Sequence, residues 1–289
     1  MKYWNLLLLL LIFVTVGFAC GDDDDDDNDD LNDDVNDDVD DDADDDADDD
    51  ADDDIDDDVD DDDVDDDDVD DDVDGYALEF DGEDTLARAT NGFAFGGGAF
   101  CVEGWFYFAQ AQTDFHEFII NNYAYTVEAD LIGGFVFGRE PNENKIRFCA
   151  VSNDNPVCVF SQDAPAAAEW IHLAGVFDGG NICLYVNGVL SESENLPDGY
   201  DESAVAPVFG SHGNLGKGSV EYSFAGRIDE VRASTMMPYT DDFVPEESLT
   251  ANANTVALYH FDDGQGDTVQ DSSGNDNNLT IEGAAWVAR

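Results

Sequence analysis

Basic residues are scarce in this chain: nine Lys and Arg stand against 72 Asp and Glu in 289 residues, a formal net charge of −63. Such a charge repels phosphate backbones and anionic bilayer surfaces, so nucleic acid and acidic membranes are disfavoured as partners. Long apolar runs are missing too. The longest, Leu6 to Val16 with only Thr15 interrupting it, falls short of the roughly 20 residues a membrane-crossing helix needs. Helical periodicity is essentially absent from Gly75 to Arg289, which argues against a bundle or an α/β fold there. No CxxC or paired Cys/His spacing occurs, so a structural zinc site has no support. HEFII at His116 is not the HExxH of a zinc protease, and GSHGNLGKGS has glycine after Lys217 where a phosphate loop needs Ser or Thr. The four histidines are scattered, and no nucleophile and base are paired by spacing. An enzyme is not expected.

The N-terminus carries an export signal. Lys2 supplies the positive region, the apolar run follows, and Ala19 is a small residue at a cleavage point. The segment GFAC at 17–20 resembles the lipobox of bacterial lipoproteins, with Gly17 in the place leucine usually holds. The resemblance implies that residues 1–19 are removed, that Cys20 becomes the lipidated N-terminus, and that the chain is exported and anchored to the cell envelope, at an outer membrane or cell surface. The alternative is a plain secretory signal with Cys20 unmodified.

Residues 20–74 follow as a poly-aspartate stretch, typified by DDDADDDADDDADDDIDDDV. Its hydrophobicity is too low to offset chain entropy and its like charges repel, so it reads as a disordered, extended acidic stalk. Near-helical spacing of its Ala, Val and Ile does not rescue a helix, because aspartate is a poor interior helix former and i,i+4 like charges oppose one. An EF-hand loop needs a glycine at its sixth position and a glutamate at its twelfth; the stalk has neither. It is expected to collect calcium only weakly.

Five cysteines are present, and assigning Cys20 to lipid leaves four in an exported chain. Cys149 and Cys158 flank AVSNDNPV, whose Asn, Asp and Pro are turn signals; an antiparallel hairpin would set them opposite each other, within bonding reach. That leaves Cys101 with Cys183 as the second disulfide. The alternative is that all four are buried free thiols in core strands.

From Gly75 to Arg289 the composition changes, and the chain is long enough for one well-buried domain. The runs ALEF, FCVEGWFYF, FVFGRE, KIRFCAV, EWIHLAGVF, ICLYVNG, YSFAGRIDEVRAS and VALYHF are short, aromatic and branched, and separated by Gly, Asn, Asp and Pro clusters. The NG after ICLYV turns the chain back so that LYV and VLS lie on neighbouring strands. This is an all-β pattern, read as a two-sheet antiparallel sandwich over 75–289.

The order of ALEFDGEDTLARA, FCVEGWFYF, EWIHLAGVFDGGNICLYVNGVL, FAGRIDEVRAS and the long segment from Tyr239 to Asn278 resembles the LamG-like jelly-roll domains of the concanavalin A-like lectin/glucanase superfamily. The resemblance implies two antiparallel sheets of about six or seven strands each, with ligand or metal sites on a concave face or rim loops. The superfamily's hydrolases use an E-x-D-x-x-E strand, and EADLIG at Glu128 lacks the final glutamate. FAGRIDEVRAS resembles the strand that supplies an aspartate to a structural calcium in several members, which implies a calcium ligand at Asp229 with Glu79 and Asp81 alongside. The alternative for Asp229 is a pair with Arg227 or Arg232. Trp105, Trp170 and Trp286 sit in strand-like runs and read as core; Tyr123 and Tyr125 read as a rim platform or an ordinary edge strand. The function expected is non-catalytic binding or adhesion, to a glycan or a surface protein, with its ligand-binding residues unlocated. A structural envelope lipoprotein without a small ligand is the alternative.

Overall fold

The computed structural model describes residues 75–111, 113–125, 131–212, 222–236 and 239–289. The signal segment, Cys20, the stalk, Glu128 and Lys217 lie outside the described residues.

The described chain is all β, with strands numbered here in chain order. One sheet runs in spatial order β12 (Val189–Asn195), β11 (Asn181–Val186), β10 (Trp170–Phe177), β3 (Phe100–Phe108), β14 (Ala225–Ser234), β1 (Tyr76–Asp81), β18 (Ala285–Ala288), with β15 (Thr255–Tyr259) also paired to β14. The other runs β16 (Thr268–Val269), β17 (Leu279–Glu282), β2 (Leu86–Ala89), β13 (Val208–Phe209), β4 (Glu117–Asn121), β7 (Phe135–Arg139), β8 (Ile146–Ser152), β9 (Asn155–Phe160). A two-stranded ribbon, β5 (Ala124–Tyr125) and β6 (Leu131–Gly133), completes the described set. All of these strand pairings are antiparallel. The jelly-roll sandwich is therefore present, with eight strands in each sheet rather than six or seven.

Strand alternation sets the core. In β3, Phe100, Val102, Phe106 and Phe108 are fully buried, because every second side chain of a strand points to the same face. They meet Phe135, Phe137 and Phe148 of the second sheet, with Phe106–Phe137 and Phe100–Phe148 ring centroids 6.1 and 6.3 Å apart. Gly175 is where β10 comes closest to that sheet: a Cβ there would stand 2.5 Å from Phe148 Cδ2. Only a residue without a side chain lets the two sheets approach so closely.

Two hairpins follow the turn signals. Asn187 and Gly188 both have positive φ, 50° and 78°, and set Val186 opposite Val189, as a two-residue hairpin of this kind requires. Asn153 and Asp154, at φ 51° and 60°, turn β8 into β9 and place Cys149 opposite Cys158. Those two are disulfide-bonded.

The second bridge is not formed, and this corrects the expectation: Cys101 and Cys183 are free and buried. Register explains it. Both lie opposite Val176, on the two sides of β10, so two inter-strand spacings of about 4.8 Å separate them. That exceeds the roughly 7 Å within which a disulfide closes. Cys183 instead donates its thiol to Ser193 Oγ at 3.3 Å.

Candidate functional site

The alternation that buries Phe100, Val102 and Phe106 turns Glu103, Trp105 and Tyr107 to the outer face of the first sheet. Pairing then builds one row across four strands and a second across three. In one, Glu79 lies opposite Arg227, Arg227 opposite Tyr107, and Tyr107 opposite Trp170. In the next, Asp229 lies opposite Trp105, and Trp105 opposite His172. Trp105, Tyr107 and Trp170 are each partly exposed. The Tyr107 and Trp170 rings are 5.6 Å apart at 57°, forming a tilted aromatic platform.

Charge is laid over this platform. Arg227 stands 5.0 Å from the Tyr107 ring centroid and donates Nε to Glu79 at 3.0 Å. Arg289, just past β18, reaches 5.9 Å from the Trp105 centroid and 5.5 Å from that of Trp170, inside the range of cation–π attraction. Its Nε lies 2.7 Å from Asp229 Oδ2. Asp229 is 2% exposed, and burial raises its pKa to about 7. Arg289 opposes that rise, whereas Glu230 and Asp262 add to it. The other carboxylate oxygen, Oδ1, is buried without a hydrogen-bond partner.

Part of the same face is covered by a strap, residues 239–250. Tyr239 and Phe243 stack with centroids 3.5 Å apart; Phe243 meets His172 and Tyr185. Beneath them is a buried charge network. Glu103 Oε1 accepts from Arg232 Nε and Nη2 at 3.0 and 2.7 Å, and Oε2 accepts from the Tyr239 hydroxyl at 2.7 Å. Burial pushes Glu103 upward, but His172, Arg232 and Tyr239 outweigh it and hold the carboxyl below its ordinary range. Trp105 marks the edge of the strap, donating Nε1 to the Glu246 carbonyl at 3.0 Å. The partly exposed platform lies beside the strap.

The expected calcium ligands are not brought together. Glu79 is paired with Arg227. Asp81 accepts from the Glu83 amide and the Thr85 hydroxyl, both at 2.9 Å, closing its own turn. It lies opposite Ala225, four residues along β14 from Asp229, or about 13 Å at strand rise. Among the described residues no three of His, Cys, Asp and Glu gather into a group able to hold a metal ion. Asp229, Asp81 and Glu79 thus do not fit as one ligand set. Asp229 pairs with neither Arg227 nor Arg232, but with Arg289. Its cross-strand partners could be found only from the register, since 124 residues separate it from Trp105.

Trp105 and Trp170 correct the core reading, for they stand on the outer face; Trp286 does pack partly against the core and donates Nε1 to the Gly266 carbonyl at 2.9 Å. The signal was available in FCVEGWFYF, where Glu103, Trp105 and Tyr107 share the parity opposite to the phenylalanines. Tyr123 is no rim platform. It is 6% exposed, in an aromatic cluster with Phe118 and Tyr125 on the second sheet. Tyr125 is held by a 3.0 Å hydrogen bond to His212 Nε2, and burial drives that imidazole down to a pKa of about 4, so it is neutral at pH 7.

Residues 81–236 match the family model described as the concanavalin A-like lectin/glucanases superfamily. Among solved structures, the chain is similar to a protein from Bacteroides ovatus described as a carbohydrate-binding candidate, at 16% identity and a TM-score of 0.56, covering 74% of this chain and 60% of that one. It is also similar to the SAP-like pentraxin of Limulus polyphemus, at 12% identity and a TM-score of 0.47, over 73% and 95% of the two chains. A third is the CBM40 of the Ruminococcus gnavus IT-sialidase, bound to α2,3-sialyllactose, at 10% identity, a TM-score of 0.43, and 57% and 92% coverage. At 16% identity the likeness to the Bacteroides ovatus protein is one of fold alone. No curated protein matches the chain.

Proposed function

The chain belongs to the concanavalin A-like lectin/glucanases superfamily, and from that premise we propose that it is a non-catalytic binding module that recognises a glycan on the outer face of its first sheet. The observation that carries this reading is the partly exposed platform of Trp105, Tyr107 and Trp170, flanked by the Arg227–Glu79 pair. Sugars present one apolar ring face and an edge of hydroxyls. A ring stacked on Tyr107 and Trp170 gains the apolar contact, while Arg227 supplies donors and Glu79 acceptors at its rim. That Bacteroides ovatus protein, described as a carbohydrate-binding candidate and of similar fold, supports the class of ligand without naming one. Display at the envelope through lipidated Cys20 and the acidic stalk completes the proposal and rests on the sequence.

A glycan array read with the full chain, wild type and Tyr107→Ala, tests it. Binding by the wild type that falls by roughly two- to tenfold or more on loss of the Tyr107 ring supports the platform, an aromatic stack being worth about 0.5–1.5 kcal/mol beyond its buried area. Capture of a surface protein with no glycan bound would replace the ligand class. If neither binds, the chain is a structural envelope lipoprotein.

A further inference from the structure

The strongest unassigned feature is the cage that holds Arg289. Its walls are the rings of Trp105 and Trp170, its floor is the carboxylate of Asp229, and the guanidinium carbon lies 5.9 and 5.5 Å from the two ring centroids. We infer that this is a binding site for an organic cation, best suited to the guanidinium of an arginine side chain, and that Arg289 fills it as a tethered stand-in. This goes beyond the glycan reading and does not depend on it, although the cage shares Trp105 and Trp170 with the platform.

Three observations carry the inference. First, two indole faces and a carboxylate are the chemistry that recognises a cation rather than an anion or a neutral sugar, since the ring faces are the negative poles of their quadrupoles. Second, the carboxylate is built into the protein: Asp229 is 2% exposed on a central strand, where a buried carboxyl stays charged only with a cation beside it. Third, Arg289 satisfies it incompletely. The tethered side chain approaches Asp229 Oδ2 with Nε, and Oδ1 stays buried with no partner. A guanidinium entering end-on presents two parallel N–H groups in the fork that matches both oxygens of a carboxylate. A partner's arginine would therefore complete the bond that Arg289 leaves half made. The chain's net charge of −63 draws such a cation toward it over distances beyond contact.

Arg289 acts as a latch, because a ligand binds only when the cage is open. If the latch leaves it open about one-tenth of the time, wild-type affinity falls about tenfold. The test uses full-length protein with its indole groups labelled for NMR, titrated with N-acetyl-arginine amide. N-acetyl-citrulline amide, which keeps the shape and lacks the charge, serves as the control. Arg289→Gln removes the latch, and Arg289→Lys keeps a cation in place. With Arg289→Gln, arginine amide is expected to shift the Trp105 and Trp170 indole signals and leave Trp286 unmoved. Half-saturation is expected at a concentration roughly tenfold lower than for wild type or Arg289→Lys. Arg289→Gln combined with Asp229→Asn should abolish the shift, which also separates the cage from loose binding of cations to the aspartate stalk. Equal shifts from the citrulline amide, or no Trp105 and Trp170 shift in a folded Arg289→Gln protein, would overturn the assignment. The glycan reading is judged separately, since Tyr107→Ala removes the one platform ring that is not a wall of the cage.

Discussion

Glu103→Gln isolates the contribution of the buried network that holds the strap. Glu103 is 0% exposed and Arg232 7%, and the carboxylate takes two hydrogen bonds from that arginine and one from Tyr239. In the glutamine variant one oxygen becomes an NH2 group. Turned toward Arg232 it sets donor against donor; turned toward Tyr239 it donates to the phenol oxygen, whose own O–H then loses its buried acceptor. The guanidinium keeps its 2.8 Å bond to the Thr250 carbonyl but loses its counter-charge. Breaking one partner of a buried pair costs about 3–5 kcal/mol, a large share of the roughly 5–15 kcal/mol that holds a domain together. Urea unfolding at pH 7 measures it, with Glu103→Leu plus Arg232→Met as the companion: an apolar pair of similar volume should restore most of the loss. The pH dependence is a second readout. The folded Glu103 carboxyl lies below its ordinary value of 4.5, so the unfolded chain binds more protons between those two values. Stability from this group is therefore present above about pH 4.5 and lost as pH falls through the folded value. Glu103→Gln should flatten that acid slope. A loss below about 1 kcal/mol at pH 7, the range of an exposed pair, would refute the account of the strap as pinned by a desolvated charge.

Gly175→Ala should destabilise the domain by about 1–3 kcal/mol or more through overpacking, since its Cβ would sit 2.5 Å from Phe148 and 2.7 Å from Phe137; an unchanged urea midpoint would mean the sheets part more easily than the packing implies. Peptide mapping under non-reducing conditions should recover Cys149 joined to Cys158, with Cys101 and Cys183 alkylated only after unfolding, and Cys158→Ser should cost about 2.7 kcal/mol for so short a loop. Calcium and its removal by chelation are expected to leave the melting temperature unchanged; a calcium-dependent gain that Asp229→Asn abolishes, about 2.7 kcal/mol at a hundredfold excess over Kd, would restore Asp229 as a ligand. Cys20→Ser should yield soluble, unlipidated protein, and a wild-type mature N-terminus without acyl chains by mass spectrometry would end the anchor reading.

Local chemistry is legible without the fold. Alternation in FCVEGWFYF, the NG after ICLYV and the Asn-Asp pair between Cys149 and Cys158 each specify strand or turn within a few residues, because a strand's period and a turn's positive φ are short-range demands. From them come the all-β class, two hairpins and one disulfide. What the sequence alone cannot supply is register between distant strands. Cys101 and Cys183 were an even pair left over, yet only the pairing of both with Val176 puts a whole strand between them. Trp105 was a core candidate by composition; which parity faces the second sheet is decided by the phenylalanines that meet there. Asp229 was set beside Glu79 and Asp81 by resemblance, but the register of β1 on β14 spreads those carboxylates along the strand. The cage joins residues 105, 170, 229 and 289, contributed by four separate parts of the chain. No short-range rule connects them, and they meet because β3 lies between β10 and β14 while β18, by way of β1, carries Arg289 back over the same face.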